Sequence, residues 1–440
     1  MNVALVKNDT GMAASGGFSA DAGRLPGTGK VAEIRREAFA AFERTGLPHR
    51  RIEEWKYTDL RALMREVLPL AGSPDAAAIA RAKAAIAATA IEGATKLVLV
   101  DGVVSADLSD LSALPPGVTV RTLRAVLDDH ANDARGDLLL TKAADPMLSL
   151  NAALATDGVV VTVANGAQLS TPLQLIHVAT AAKAARYSRS HVRVGQGARA
   201  TLVESSVAAD GAAAYQANDA AVIWVGDEAA FSHVRLMCDA ADAVNVSSEL
   251  ITVGARSKLS LFNMTSGGAI SRLQAFITMA GEDSELIVNG VNLLRGRQHG
   301  DLTLVVDHAV PGCTSRENFR AVLDDRAHSV FQGRIIVEPG AQKTDGKMMT
   351  RALLLSDEAE ADSKPELEIF ADDVSCGHGA TSGALDESLL FYLRARGLPE
   401  KQAQALLIQA FVGEAIEAIE DDGLRERVMS AAQDWLEGGA

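Results

Sequence analysis

The central part of the chain alternates short β-rich runs with glycine at a nearly constant spacing. Successive glycines lie 27 to 31 residues apart. A fixed period in this range is typical of a solenoid. The runs are Val159–Val163, His191–Val194, Ala221–Val225, Leu250–Val253, Phe276–Met279, Leu304–Asp307 and Arg334–Val337, followed by Gly166, Gly197, Gly226, Gly254, Gly281, Gly312 and Gly340.

A second β-rich run follows several of these glycines: Ala200–Val203, Ala230–Val234, Lys258–Leu261 and Glu285–Val288. The unit is therefore strand, glycine corner, strand and return, and glycine suits the corner because it tolerates positive φ. No helical stretch of ten or more residues interrupts the runs, which argues against βαβ units. The pattern predicts a mainly β protein with a parallel β-helix of about seven coils. An antiparallel sandwich with evenly spaced hairpins remains the alternative.

Helical patterns lie on both sides of the repeat. Val31, Ile34, Ala38 and Phe42 recur at helical spacing and end before Gly46. An Ala-rich stretch at 75–90 predicts a second helix. The expected division of the chain is a disordered N-terminus at 1–30, a helical or mixed region at 31–135, the β-helix at 136–380 and a C-terminal helical domain at 381–440.

The C-terminal domain carries recognisable helix boundaries. Asp386 is a suitable N-cap for a helix at 387–396, and Gly397 is a suitable stop. Pro399 can open the next helix, and a last helix is expected at 424–436. The middle helix has an apolar stripe that predicts either core or a docking face for a partner chain. That stripe consists of Ala403, Leu406, Leu407, Ala410, Phe411 and Ile416.

Composition and charge limit the classes of partner and the cellular compartment that we expect. The formal net charge is -15, aromatic residues make up 4% of the chain, and no block of Lys and Arg occurs, so nucleic acid is not an expected partner. No run approaches the apolar length of a membrane helix, and the start lacks a secretory h-region. Cys238, Cys313 and Cys376 are widely spaced and odd in number, which favours a reducing compartment. We expect a cytoplasmic protein that does not bind membranes.

The sequence contains no convincing catalytic signature. A Walker phosphate loop, an HExxH motif and a Gly-x-Ser-x-Gly elbow are all missing. The carboxylate pairs 324–325 and 372–373 are adjacent in sequence, so on a strand they point to opposite faces. Most histidines, including His328 near the first pair, are interpreted as structural or surface residues. We therefore expect no catalytic residues and a protein that is not itself an enzyme.

One local group of residues could bind a metal. Cys376 and His378 are two apart, so in an extended segment both side chains project to one side, with about 7 Å between their Cα atoms. A thiolate and an imidazole suit a soft or borderline metal. Two ligands do not complete a tetrahedral site, so we expect either a transient site or further ligands from another chain. A buried cysteine with a hydrogen-bonded histidine is the alternative.

Several motifs resemble the SufB/SufD family of iron–sulfur cluster assembly proteins. They lie at 318–320, 333–335, 341–345 and 353–356, and most clearly at 364–369, 372–380 and 390–397. Near the N-terminus, the run at 53–60 (EEWKYTDL) looks like another family motif. Within the family, SufB-type chains carry a Cys and a Glu where this chain has Thr350 and Gly379. The string DDVSCGHGA instead resembles the SufD type.

The resemblance implies a right-handed parallel β-helix flanked by helical regions, in a scaffold subunit of the SufBCD complex. It implies pairing with a SufB-like paralogue through the β-helix and docking of a SufC-like ATPase on the C-terminal helices, and a homodimer is the alternative assembly without SufB. Cys376 and His378 would lie where a transient iron–sulfur cluster forms, shared with SufB, and ATP would act only through SufC. The expected docking residues are Phe391, Tyr392, Leu406, Leu407 and Phe411. An interaction-only scaffold without a metal role is the main alternative, and a carbohydrate-active β-helix enzyme is a weaker one.

Overall fold

The computed structural model describes residues 21–64, 66–140 and 144–438 of the 440-residue chain. A β-solenoid forms its centre, and helical segments precede and follow it. Among the described helices, none is both long and apolar enough to cross a membrane. Residues 1–20 of the predicted disordered N-terminus lie outside the described residues, and the domain boundaries expected from the sequence stay predictions.

The N-terminal region mixes helices with three short strands. The two helices expected from the sequence are present, and Asp75 caps the second by accepting a hydrogen bond from the amide of Ala78. The elements are α1 (Lys30–Thr45), α2 (Leu60–Leu63), α3 (Ala76–Thr89), β1 (Thr95–Val100), β2 (Val103–Val104), β3 (Val118–Thr122), α4 (Leu123–Leu127) and α5 (Pro146–Leu154), with 3-10 turns at Ala22–Arg24, Glu53–Trp55, Ala106–Leu108 and Asp133–Leu139.

Sixteen strands then alternate between two sheets, giving about eight turns of the solenoid. In chain order they are β4 (Val159–Val163), β5 (Leu173–Ala179), β6 (Ala185–Val194), β7 (Arg199–Ala208), β8 (Gln216–Val225), β9 (Ala230–Cys238), β10 (Val244–Val253), β11 (Lys258–Thr265), β12 (Ile270–Met279), β13 (Glu285–Leu294), β14 (His299–His308), β15 (Thr314–Leu323), β16 (His328–Val337), β17 (Asp345–Leu354), β18 (Glu360–Ile369) and β19 (Ser375–Gly383). Even-numbered strands from β4 form the first sheet, and odd-numbered strands from β5 form the second.

Neighbouring strands of the solenoid pair in parallel throughout both sheets. The predicted parallel β-helix is therefore confirmed, and the antiparallel sandwich is excluded. The stack has one coil more than the seven expected, because β18 and β19 lack the valine-rich runs by which the repeat was recognised. At the N-terminal end, β1 extends the second sheet and β3 pairs antiparallel with β4.

The corner glycines serve two different purposes. Gly197 has φ +65°, as expected for a corner that needs the left-handed region. Gly281 does not have positive φ, but a Cβ there would lie 1.9 Å from the backbone nitrogen of Ala255 in the coil below. At this second kind of corner, glycine is required because stacked turns approach closely, which corrects the single explanation given from the sequence.

The interior of the solenoid is divided lengthwise. One half is apolar and is formed by the ends of first-sheet strands and the beginnings of second-sheet strands, such as Ile223, Leu259 and Leu286. The other half contains buried charged and polar side chains, such as Glu204 and Arg235. The repeat therefore encloses a mixed interior in which only one side resembles an ordinary hydrophobic core.

The motif at 53–60 crosses the outer face of the first sheet. Trp55 is fully buried and donates a hydrogen bond from Nε1 to Asp145 Oδ2 at 2.9 Å. The guanidinium of Arg272 stacks over the Trp55 ring at 3.9 Å and pairs with Asp301. At the far end of this segment, Lys364 on β18 binds Glu53 Oε1 at 2.5 Å. The motif thus ties the N-terminal region to the last coil.

Three helices follow the solenoid: α6 (Glu387–Ala395), α7 (Glu400–Ile416) and α8 (Asp422–Glu437). Of these, α7 and α8 pack against the outer face of the second sheet. Asp386 caps α6 by accepting hydrogen bonds from the amides of Ser388 and Leu389, and Gly397 has φ +93°, as predicted. Pro399 directly precedes α7.

The apolar stripe expected on α7 is only partly buried. Ala403 and Ile416 are buried, but Leu406 and Ala410 are exposed and Leu407 and Phe411 are only partly buried. The side that packs against the sheet is instead formed by Ile408, Val412 and Ala415. The helix contains apolar residues on more than one side, so spacing alone did not identify the side that faces the sheet.

Candidate functional site

Cys376 and His378 lie on β19, the last strand of the second sheet. Cys376 pairs in register with Gly346, and His378 pairs with Met348. Both side chains project to the inner side of the coil, as their spacing predicted, because alternate residues of a strand share a face. Cys376 is partly buried against the apolar core, whereas His378 is exposed. Within the described residues, no strand pairs with the other edge of β19.

The pair remains incomplete within the described part of the chain. Neither Cys376 nor His378 belongs to a group of three potential ligand atoms within 4.8 Å of one another. Burial raises the pKa of the Cys376 thiol, and Asp345 and Glu317 act in the same direction, although Gly346 and Lys347 oppose them. The free chain therefore presents a protonated thiol, and metal binding would release that proton.

Glu317 is a buried carboxylate that the sequence analysis missed. It lies on β15 in the same register column as Met348 and His378, two coils below the histidine. It is 2% exposed, and neither carboxylate oxygen has a hydrogen-bond partner among the described residues. Burial raises the pKa of Glu317 to about 7. The alternation of Ser315, Glu317 and Phe319 was the available signal, because it places all three on the inner face.

A groove of about 580 Å³ runs along the outer side of the last strands of the second sheet. Its lining includes Arg316, Lys347, Met349 and His378, together with Ala418 from the connection between α7 and α8. The candidate ligand pair therefore adjoins both the open end of the solenoid and the C-terminal helices.

A second group of potential ligands lies in the polar half of the solenoid, remote in sequence from β19. Glu204, His233 and Glu249 are buried, and one ligand atom from each lies within 4.8 Å of the others. However, Arg235 Nη1 lies 3.0 Å from Glu204 Oε2 and 3.5 Å from Glu249 Oε1. A guanidinium thus already occupies the position between the two carboxylates that a cation would need.

Further ion pairs extend this interior group. His177 Nε2 lies 2.8 Å from Glu204 Oε1, and Arg186 Nη2 lies 3.1 Å from Asp219 Oδ2. Burial by itself would raise the pKa of Glu204, but Arg235 and the two histidines at 177 and 233 hold it well below its ordinary range. We interpret this group as an ion-pair network of the fold. The sequence analysis took these histidines as structural but did not identify their carboxylate partners.

The expected docking residues fall into two groups. Phe391 is 74% exposed, and Tyr392 and Leu406 are also exposed. Leu407 and Phe411 are partly buried and line a cavity of about 320 Å³ between α6, α7 and the end of β19. Leu389 is exposed beside them and was missed by the sequence analysis. The structure therefore places Leu389, Leu407 and Phe411 in one cavity next to the last coil, and it leaves Phe391, Tyr392 and Leu406 exposed on the same helices.

The open end of the solenoid carries a second exposed apolar group. Phe370, directly after β18, is 61% exposed, and Ile369 is 41% exposed. The strands β18 and β19 form the ends of the two sheets, so their outer edges have no strand partner within the described residues. Unpaired edges of this kind are ready to pair with another chain.

Comparison with known proteins gives two family matches. Residues 177–411 match the SufBD core domain of the SUF system for FeS cluster assembly, and residues 28–175 match the N-terminal region of SufBD proteins. Together the two matches cover the solenoid, the N-terminal region and part of the C-terminal helices.

Individual relatives agree with these matches. The iron–sulfur cluster assembly protein SufD of Escherichia coli is 31% identical over 90% of this chain and 91% of its own length. A SufBD family protein of Synechocystis is 30% identical over 87% of this chain and 86% of its own. SufD of Bacillus subtilis is 27% identical over 65% and 66%, respectively.

Proposed function

Because the chain belongs to the SufBD family of the SUF system for iron–sulfur cluster assembly, we propose that it is the SufD-type scaffold subunit of that system. In this role it catalyses no reaction itself. It pairs with a SufB-like paralogue, binds a SufC-like ATPase and contributes ligands where a cluster forms between subunits. The cluster is cargo that passes through the complex.

The observation that carries this proposal is the position of an incomplete ligand pair on β19, a strand whose outer edge has no strand partner among the described residues. Cys376 and His378 project from the same side of β19 at the end of the stack. A thiolate and an imidazole suit iron and iron–sulfur clusters. Since two protein ligands leave further positions open, a second polypeptide on this edge could complete the coordination.

The open end of the solenoid supports pairing with the paralogue. A second β-helix placed against β18 and β19 would satisfy their free backbone groups and cover Phe370. The same face could join two copies of this chain when the paralogue is missing. In that homodimer each copy would supply a Cys and a His. The homodimer and the heterodimer with the paralogue would therefore have different ligand sets.

The C-terminal helices support docking of the ATPase. Phe391, Tyr392 and Leu406 are exposed on α6 and α7, and we infer that together they form an apolar interaction surface. Leu407 and Phe411 would form its partly buried floor. This surface adjoins β19, so an ATPase bound there would contact elements that are next to the ligand pair.

The test is reconstitution of the complex with the paralogue and the ATPase, using the His378→Ala variant. We expect the complex to assemble normally but to hold less iron and sulfide than the unchanged complex, because one ligand is lost. His130→Ala is the matched control, since His130 is an exposed histidine far from β19 in sequence. Equal iron and sulfide in both variants would support the interaction-only scaffold instead. Failure to bind the paralogue or the ATPase would reject the proposal as a whole.

A further inference from the structure

One carboxylate of the C-terminal helices holds two arginines of the second sheet. Arg320 on β15 and Arg351 on β17 are register partners on adjacent strands. Glu414 on α7 contacts both through Oε2: it pairs with Arg320 Nη2, and it lies 3.5 Å from Arg351 Nη1. Like charges directly opposite each other destabilise a sheet, so the carboxylate offsets a repulsion between these strands.

Arg320 depends on this carboxylate more than Arg351 does. The Arg320 side chain is 2% exposed, and its Nε and Nη1 have no hydrogen-bond partner among the described residues. In the part of the chain that the structure describes, no other carboxylate lies within 4.0 Å of its guanidinium. Its Cζ also lies 5.2 Å from the centroid of the Phe411 ring. A buried guanidinium without a counter-ion is costly, so Glu414 fixes the position of α7 on this row of the sheet.

The same row leads to the candidate ligands. Arg351 on β17 pairs in register with Thr381 on β19, three residues after His378. On the helix side, Glu414 lies one turn after Phe411, which belongs to the expected docking surface. One carboxylate thus links the helix that carries docking residues to the strand adjacent to the ligand strand.

The rest of the contact between α7 and the sheet cannot fix the register as sharply. Ile408, Val412 and Ala415 pack against apolar side chains such as Val291 and Val322. Apolar contact is non-directional, so it permits small displacements of the helix along the sheet. The ion pair with two arginines is directional, and it defines one position of the helix relative to β15 and β17.

We propose that Glu414 is a positioning residue that couples movement of the docking helices to the strand pair β15–β17 and through it to β19. This inference rests on the proposed function, because the movement is that of an ATPase bound to α6 and α7. When the ATPase shifts these helices, the carboxylate pulls on both arginines and displaces the edge that carries Cys376 and His378.

The test compares Glu414→Gln with Glu420→Gln in the reconstituted complex with the paralogue and the ATPase. Glu420 is a suitable control, because it also forms an ion pair between the C-terminal region and the second sheet, to Lys258 at 2.8 Å. This pair is exposed and lies on β11, two coils from β15. The measurements are ATPase affinity, ATP turnover and clusters assembled per ATP hydrolysed. We expect affinity and turnover to stay unchanged in Glu414→Gln, while clusters per ATP fall about fivefold or more, the lower range of allosteric couplings. Glu420→Gln should match the unchanged protein.

Arg351→Gln gives a second variant that spares the buried arginine. It removes the ion pair between Glu414 and β17 but leaves Glu414 paired with Arg320. The number of clusters assembled per ATP should therefore also fall. Unchanged clusters per ATP in both variants would overturn the inference. A parallel loss of ATPase affinity would also overturn it, because Glu414 would then act as a docking contact.

Hydrogen exchange in the isolated chain separates this inference from the proposed function. Glu414→Gln should speed amide exchange in 345–354 and 375–383, whereas Glu420→Gln should not. If the unchanged protein fails to bind the ATPase, the proposed function fails, and the exchange result still shows whether Glu414 fixes the strands. Identical exchange in the two variants would reject the mechanical link.

Discussion

Glu317 and His378 occupy the same column of the second sheet, separated only by Met348 on the strand between them. Glu317 is buried, whereas His378 is exposed at the end of the stack. A carboxylate with a raised pKa therefore lies in the same column as a candidate ligand of the last coil. Its chemistry can be tested through the stability of the chain alone.

Replacing Glu317 with Gln should stabilise the protein at neutral and alkaline pH. The folded-state pKa of about 7 lies above the ordinary value of 4.5, so the folded form binds the proton more tightly. Its contribution is fully present below pH 4.5 and is lost as the pH rises through 7. The variant lacks this loss, so above pH 7 its free energy of unfolding should exceed that of the unchanged protein by at most about 3 kcal/mol. Near pH 4 the two free energies should be equal.

Denaturant unfolding between pH 4 and pH 8 measures this difference. Glu285→Gln on β13 is the control, since Glu285 is exposed on the same sheet. A difference between Glu317→Gln and the unchanged protein that does not vary with pH would contradict the assignment of a raised pKa.

Replacing Arg272 with Met should strongly destabilise the fold. The change removes the stacking on Trp55 and leaves the Asp301 carboxylate buried without its cation. Breaking a buried pair on one side costs about 3–5 kcal/mol. Thermal or denaturant unfolding checks the value.

Arg256→Met is the matched control for this change. Arg256 pairs with Glu228 on the surface, at 2.7 Å and with both side chains more than half exposed. Surface pairs contribute about 0–1 kcal/mol, so the control should lose little. Equal losses of stability in Arg272→Met and Arg256→Met would show that the buried arginine does not hold the motif at 53–60 in place.

Phe391→Ser and Phe370→Ser should separate the two proposed partner surfaces. Phe391 lies on α6 and Phe370 lies at the open end of the solenoid, and both are largely exposed. We expect Phe391→Ser to weaken binding of the ATPase about tenfold or more, as for an interface hot spot, and to leave pairing with the paralogue unchanged. Phe370→Ser should do the reverse.

Binding is measured by titration calorimetry with each purified partner. The melting temperature of both variants should stay close to that of the unchanged chain, because both side chains are largely exposed in the monomer. If one variant weakened both partners equally, the two surfaces would not be separate.

Introducing a side chain at Gly281 should disturb the stack. In Gly281→Ala the added Cβ meets the backbone of Ala255 at 1.9 Å, so the neighbouring coil must move. Overpacking of this kind costs about 1–3 kcal/mol. Gly340→Ala is the control, because no atom of the described residues lies within 4 Å of a Cβ at that corner and its φ is not positive. The midpoints of urea unfolding of Gly281→Ala and Gly340→Ala are compared. Equal midpoints would contradict the close approach of the turns.

Much of the fold was readable because the repeat is local. The spacing of Gly166 to Gly340 predicted the parallel stack, and Asp386 and Gly397 correctly bounded α6. The last coil was less visible, since β18 and β19 carry few of the branched apolar residues that mark the others. Exposed strands at an open end bury few side chains, so they need few branched apolar residues. The repeat is therefore weakest where the partner surface is expected.

The sequence by itself determined the period of the coils, the helical ends and the shared face of Cys376 and His378, because each follows from the geometry of a few consecutive residues. Only the tertiary structure decided that Glu317 lies beneath His378, that Arg235 fills the space between Glu204 and Glu249, and that Glu414 holds two strands. These contacts join residues from different coils or from a helix to a sheet. They depend on how the coils stack and how the helices pack, which local spacing does not encode.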